Sequence, residues 1–285
     1  MLLSIFRLNF LLNFTSNFQK MDFKKLCFQV QDIARETGGF IRTEGKKISA
    51  SDVEIKSVAS LVTYVDKTAE ASIVSALKKL IPDSGFVAEE GTAGSNNEKY
   101  TWFVDPLDGT TNFIHGISPH SVSIALMEAD ELVLGVVYEI GLNEMFYAWK
   151  DSPAFLNGKE IKVATASKSA DTLVATGFPY YDFEKTENYI DALRHFMKTT
   201  RGIRRLGSAA VDLSYVAAGR FDGFFEHALH AWDVAAGVFI LKQAGGKISD
   251  FNGGENWLFG GEIIAASKNY FNEFFGIINK NLGDK

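Results

Sequence analysis

"WFVDPLDGTTNFIHG", residues 102–116, sets an apolar run against a turn carrying two aspartates. The aromatic and β-branched residues Trp102, Phe103 and Val104 suit a strand. A strand ending at Val104 delivers Asp105 at its tip, and Pro106 fixes the chain so that Asp108 can turn back towards the same point. Two carboxylates and the Leu107 carbonyl can then converge. Hard divalent cations take oxygen ligands, and Mg²⁺ is usually held by one or two carboxylates together with water and substrate phosphate. Asp, Pro and Gly also favour turns by themselves, so an ordinary Asx-type turn accounts for the same residues. Gly109-Thr110-Thr111 then offers backbone N–H groups and two hydroxyls where a helical turn can open, which is a ready anion site. Carboxylates for metal beside amides for phosphate is the pairing that phosphoryl transfer needs.

Around this motif the pattern is strand-rich. "GFVAEEG", "YTWFVD", "SVSIALME", "LVLGVVYE" and "MFYAWK" are short β-type runs, with a hairpin expected across Gly141-Leu142-Asn143. Before them, Phe23, Leu26, Val30, Ile33 and Ala34 recur at helical spacing from Asp22 towards Gly38-Gly39. After the β-like "SLVTYV", Asp66 is expected to cap a helix bearing Ala69, Ile73, Leu77 and Leu80, stopped by Pro82. The second half alternates. "TLVATGF", "RFDGFFEH", "GKISDF" and "EIIAAS" read as strands; "YIDALRHFMK", "AAVDLSYVAAG", "WDVAAGVFILKQAGG" and "KNYFNEFFGIINKNL" read as helices. The expected division is therefore a helix-plus-antiparallel-sheet part over 22–150 and an alternating α/β part over 151–285. Arg7, Asn9 and Asn13 interrupt the first apolar run well short of a spanning helix, and because a charged n-region and cleavage site are missing while Met21 opens an amphipathic helix, residues 1–21 are expected to be a leader outside the fold with Met21 as the working start.

The chain is 46% hydrophobic over 285 residues, enough for a sizeable core. A net charge of −6 without a long basic stretch argues against a nucleic-acid surface and fits a pocket for cations. Cys27 is the single cysteine, so no internal disulfide forms. His115, His120, His195, His227 and His230 lack the paired spacing of a zinc site, and none is assigned to metal.

Further carboxylates stand at element ends. Glu89 and Glu90 follow "GFVA", and Asp233 precedes an apolar helix for which an N-cap is its ordinary role. Other phosphatase chemistries do not fit. The position six after Cys27 is Ile33 rather than Arg, Asp105 and Asp108 are not spaced as an aspartyl-phosphate pair, and Arg194-His195 is followed by Phe196 rather than Gly. There is no Gly-x-Ser-x-Gly elbow and no Walker-type loop. Metal-activated water remains.

With these residues in place, the chain resembles the inositol monophosphatase family, within the Mg-dependent, lithium-sensitive sugar phosphatase superfamily. "SLVTYVD", "VAEEG", "WFVDPLDGTTNFIHG", "RRLGSAAVDLSYVAAG" and "HAWDVAAGVFILKQAGG" occur in the family's order, and the resemblance runs from about Asp22 to the C-terminal helix. It implies an α/β (α+β) fold, the layered α/β/α/β/α sandwich of the inositol monophosphatase and fructose-1,6-bisphosphatase type. It also implies a homodimer acting on a small phosphate ester with two to three Mg²⁺ per site; the expected location is cytoplasmic, with no nucleic-acid or membrane partner. By motif matching, Glu89, Asp105 and the Leu107 carbonyl would hold the first Mg²⁺, and Asp105, Asp108 and Asp233 the second. Thr110 with Glu89 would position the attacking water, and the amides of Gly109 and Thr110 would hold phosphate. Asp66 and Lys56 would lie in an outer shell near a third metal. Gly207, Ser208, Ala209, Glu226 and Asp233 would contact the substrate. The implied activity is hydrolysis of inositol monophosphate (myo-inositol 1-phosphate) or a similar polyol phosphate, the alternatives being a 3′(2′),5′-bisphosphate nucleotidase or a histidinol-phosphatase of the same fold. One departure is Ser60, where the family usually has Asp or Asn before Leu-Val-Thr.

Overall fold

A computed structural model describes residues 21–47, 53–57, 60–91, 98–178 and 183–284, with 53–57 and 60–62 described by their backbone only. Of the leader expected over residues 1–21 only Met21 is described, and it packs partly buried against the first core instead of lying outside the fold, while residues 1–20 and the side chains of Lys56 and Ser60 lie outside the described residues.

Helix α1 (Phe23–Glu44) starts where the Asp22 carboxylate accepts the Lys25 amide. It does not stop at Gly38-Gly39 as its sequence suggests, but runs through both. The reason is packing: a Cβ on Gly38 would stand 2.5 Å from Tyr138 Cε1, so this glycine admits a neighbouring ring instead of ending the helix. Strands β1 (Val53–Ser57) and β2 (Ser60–Thr63) form a small antiparallel ribbon, and α2 (Tyr64–Leu80) follows directly. Its N-cap is Thr63 rather than Asp66. Asp66 is the third helical residue of a capping box, its Oδ2 accepting the Thr63 amide at 2.8 Å and the Thr63 hydroxyl at 2.6 Å.

The first large sheet has seven strands in chain order: β3 (Gly85–Ala88), β4 (Tyr100–Asp108), β5 (Ser121–Glu128), β6 (Glu131–Glu139), β7 (Glu144–Trp149), β8 (Ala154–Leu156) and β9 (Lys159–Ile161). Only β3 and β4 are parallel, and the β6–β7 hairpin turns where Asn143 takes a positive φ of 55°. The division expected near residue 150 falls inside this sheet, which runs on to Ile161. The second sheet combines β10 (Leu173–Thr176), β11 (Gly202–Arg204), β12 (Gly223–His227), β13 (Gly246–Ser249) and β14 (Glu262–Ser267) in the order β11-β10-β12-β14-β13.

Alternation along the strands assigns each sheet face to a core. Trp102, Val104 and Val136 face α1 and α2, whereas Phe103, Ala125 and Val137 face α5 (Ala209–Ala217) and α6 (Ala231–Gln243). Phe224 and Ala265 of the second sheet cover the other side of those helices. Phe225 and Ile264 turn outward to α4 (Thr186–Thr199) and α7 (Phe271–Leu282). The order of layers is thus α1α2, sheet, α5α6, sheet, α4α7, the expected α/β/α/β/α sandwich. Lying between two sheets, α6 is buried almost all round, and its small residues let the pair approach: a Cβ on Gly237 would meet Leu213 Cβ at 2.7 Å.

Candidate active site

Strand β4 does not end at Val104; it continues to Asp108 with a bulge. Asp105 pairs with Ser123 and Asp108 with Ser121, so β4 spends one more residue than β5 between those pairs. In a regular strand, residues three apart point to opposite faces. The extra residue shifts that alternation and brings the two aspartates to one side. Pro106 sits in the bulge, where its missing N–H costs no ladder bond. The Leu107 amide donates to Asp105 Oδ1 at 2.9 Å, so the Asx-type turn is real and it aims the carboxylate.

The remaining carboxylates arrive from separate elements. Glu89 directly follows β3, its amide donating to the Val104 carbonyl at 3.2 Å. Asp233 is not an N-cap: His230 caps α6, and Asp233 is the third residue of a capping box, accepting the His230 amide through Oδ2 at 2.6 Å. Asp108 Oδ2 accepts the Ser208 hydroxyl at 2.6 Å and the Ala210 amide at 2.8 Å, both at the N-terminus of α5, and the Ala209 amide also stabilises its charge. Asp105, Asp108 and Asp233 are therefore each oriented by protein donors on one carboxylate oxygen.

The electrostatics are those of mutually repelling negative charges. Burial pushes the Asp105 carboxyl well above the usual carboxylate range, and the charges of Glu89, Asp108 and Asp233 push it further. Loss of surrounding water and the facing Asp233 charge raise Asp108 to about 7, against the pull of its Ser208 and Ala210 bonds. These groups sense one another, yet among the described residues no three His, Cys, Asp or Glu side chains stand close enough to grip one ion unaided. An all-oxygen, mutually repelling set that needs water or phosphate to complete a shell fits Mg²⁺ better than a softer, fully protein-ligated metal.

Thr110 opens the short helix α3 (Thr110–Ile114) after Gly109, which occupies the left-handed region at φ 93°. Its Oγ1 lies 3.0 Å from both Asp66 Oδ1 and the Leu107 carbonyl, so one hydroxyl proton faces two acceptors. Asp66, 1% exposed, is raised by burial and held back by its Thr63 and Thr110 bonds. Gly207 is left-handed at φ 90° immediately before Ser208, the N-cap of α5. Glu226, on β12, is buried, and burial raises its carboxyl while Arg205 opposes the rise and Asp233 and Asp108 add to it. Lys56 is the one candidate whose side chain lies outside the described residues.

Three features were not apparent from the sequence. The Ser208 side chain grips Asp108, where the motif pointed only to its backbone. Glu70, fully buried one turn after Asp66, accepts the Glu90 amide at 2.6 Å and so anchors the loop bearing Glu89; the i, i+4 spacing of Asp66 and Glu70 was the available signal. Asp212 lies buried within reach of the charges of Glu226 and Asp108, and as one polar residue in "AAVDLSYVAAG" it carried no signal.

A model of the inositol monophosphatase family matches residues 24–280. An inositol-1-monophosphatase from Mesorhizobium japonicum is 39% identical over 236 residues, covering 82% of this chain and 89% of that protein. A protein named Nus factor SuhB from Escherichia coli K12 is 40% identical over 235 residues, covering 82% of this chain and 88% of that protein. Among solved structures, extragenic suppressor protein suhB from Bartonella henselae superposes with a TM-score of 0.86 at 35% identity, covering 90% of this chain and 100% of that one.

Proposed function

The chain belongs to the inositol monophosphatase family of phosphoric monoester hydrolases, and on that premise we propose that it hydrolyses inositol monophosphate, or a similar small polyol phosphate, using Mg²⁺. The observation that carries this reading is the anchoring of Asp105, Asp108 and Asp233 through one oxygen each, at a place where their charges oppose one another.

Glu89, Asp105, Asp108, Asp233 and the Leu107 carbonyl would hold two cations, with Asp66 and Lys56 nearer a third. When bound, the cations supply Lewis-acid charge to the phosphoryl oxygens and acidify water. The chain's own part is orientation and proton handling. The Leu107 amide, the Ser208 hydroxyl and the His230 amide fix the three aspartates in advance, so little reorganisation is needed at reaction. The Thr110 hydroxyl gives its proton to Asp66 when the Leu107 carbonyl is engaged, leaving its oxygen as an acceptor for the attacking water beside Glu89. The amides of Gly109 and Thr110 hold phosphate, and Glu226, Asp233 and the Gly207–Ala209 segment take the polyol hydroxyls. Lithium sensitivity, a homodimer and a cytoplasmic location belong to the same proposal and rest on the family resemblance.

Phosphate release from inositol 1-phosphate, 3′-phosphoadenosine 5′-phosphate and histidinol phosphate, with and without Mg²⁺, tests it. The expected result is Mg²⁺-dependent turnover with inositol 1-phosphate preferred; a large preference for either other ester overturns the choice of substrate.

The Nus factor name of the Escherichia coli relative supports a second reading, a regulatory role exercised through binding. The two separate on Asp108→Asn: a regulatory role survives that substitution, whereas hydrolysis does not.

A further inference from the structure

Asp212 lies on α5 four residues after Ser208, one helical turn in from the pocket-facing N-terminus, and is 1% exposed. Its Oδ1 is buried without a hydrogen-bond partner among the described residues. Buried carboxyl oxygens normally have one, so an orphan of this kind calls for a donor from outside the fold. The charged groups that act on it are Glu226, Asp108 and Arg205, which puts it at the same corner of the pocket as Glu226. That corner is cut to shape by two glycines. A Cβ on Gly177 would collide with the Glu226 carboxylate, and one on Gly207 would stand 2.6 Å from Arg205 Nη1. Two carboxyl groups and a guanidinium therefore gather where backbone has been kept bare.

The geometry points to Asp212 as a specificity-determining residue which, with Glu226, selects phosphate esters carrying adjacent hydroxyl groups over esters carrying none. Each hydroxyl brings a proton that a carboxyl oxygen can accept: one goes to Glu226, and its neighbour is relayed to the enclosed Asp212 through a single water. An ester without hydroxyls leaves the buried acceptors unpaired, which is how a polar site rejects an analogue. This inference rests on the polyol reading of the site.

The test compares kcat and KM for inositol 1-phosphate and for p-nitrophenyl phosphate, which has no hydroxyl, in wild type and Asp212→Asn with Mg²⁺ present. The amide keeps the shape, and its NH₂ can occupy the neighbouring Glu226 oxygen. The expected result is a KM for inositol 1-phosphate raised about tenfold with kcat nearly kept, so that the preference for the polyol ester falls about tenfold. A purely structural role lowers both substrates in parallel, and an unchanged preference overturns the inference. Asp212→Ser, smaller and uncharged, gives the same readout should the amide not be accommodated. Wild-type protein that turns over p-nitrophenyl phosphate but not inositol 1-phosphate overturns the polyol reading itself, and this inference with it. A variant that keeps the wild-type preference overturns this inference alone.

Discussion

At the scale of single residues, the site sets buried carboxylates against one another, and that repulsion has a cost and a use. Asp108→Asn removes one repelling charge while keeping the shape, so the metal-free variant is expected to melt at a higher temperature than wild type. With Mg²⁺, its activity is expected to fall at least ~10²-fold, since an amide is a poor substitute for a carboxylate ligand. A melting temperature lower than wild type without metal, or activity within a few-fold of wild type with it, would contradict the account. Gly177→Ala tests the substrate side: its methyl group would displace the Glu226 carboxylate, so KM for a polyol phosphate should rise while Mg²⁺-dependent stabilisation persists, as melts and kinetics on one preparation would show. The aspartates that gather at the site were legible in the sequence because "DPLDG" and "WDVAAG" put acidic residues beside Pro, Gly and apolar runs. Asp212 and the side-chain role of Ser208 were not, because each depends on which distant group the fold sets against it, Glu226 for the one and Asp108 for the other.

At the scale of elements, periodicity located the long helices and strands, missed the short strands β1, β8, β9 and β11, and otherwise erred at element ends. Both misplaced caps have one cause: in a capping box the acidic residue stands three positions inside the helix, and Thr63 and His230 occupy the true N-caps of α2 and α6. The β4 bulge was also hidden, since pairing against β5 rather than composition creates it. Gly38 shows how tertiary packing outweighs propensity. Alanine favours a helix over glycine by ~1 kcal/mol, yet its methyl group would press on Tyr138, whose hydroxyl is tied to Asn143 at 2.7 Å. Gly38→Ala is therefore expected to destabilise the protein by about 1–2 kcal/mol in urea melts. A stabilised variant would show that the ring moves aside freely.

For the whole molecule, the layer order was implied by family resemblance and is explained by alternation: successive strand residues such as Phe224 and Phe225 feed different cores. Residues 1–20 and the segment around Lys56 gave no such check, because their side chains lie outside the described residues. The electrostatic repulsion also has a signature in global stability. Asp105, Asp108, Asp212 and Glu226 all have folded-state affinities for protons raised by burial, Asp108 to about 7. Between the ordinary carboxylate range and pH 7 the folded protein therefore holds more protons than the unfolded chain, and stability falls as pH rises through that window. Because cations and protons compete for the same oxygens, the gain in melting temperature on adding Mg²⁺ should grow from pH 5 to pH 7.5. A flat Mg²⁺ effect across that range would contradict this. The central claim, that the Asp105 carboxylate serves a metal-dependent phosphomonoesterase, is tested most directly by phosphate release from inositol 1-phosphate titrated with Mg²⁺, in wild type and Asp105→Asn. The account predicts wild-type turnover that appears with Mg²⁺ and vanishes with chelator, and a variant slower by at least ~10²-fold at every Mg²⁺ concentration. Turnover that ignores Mg²⁺, or a variant as active as wild type, would contradict it.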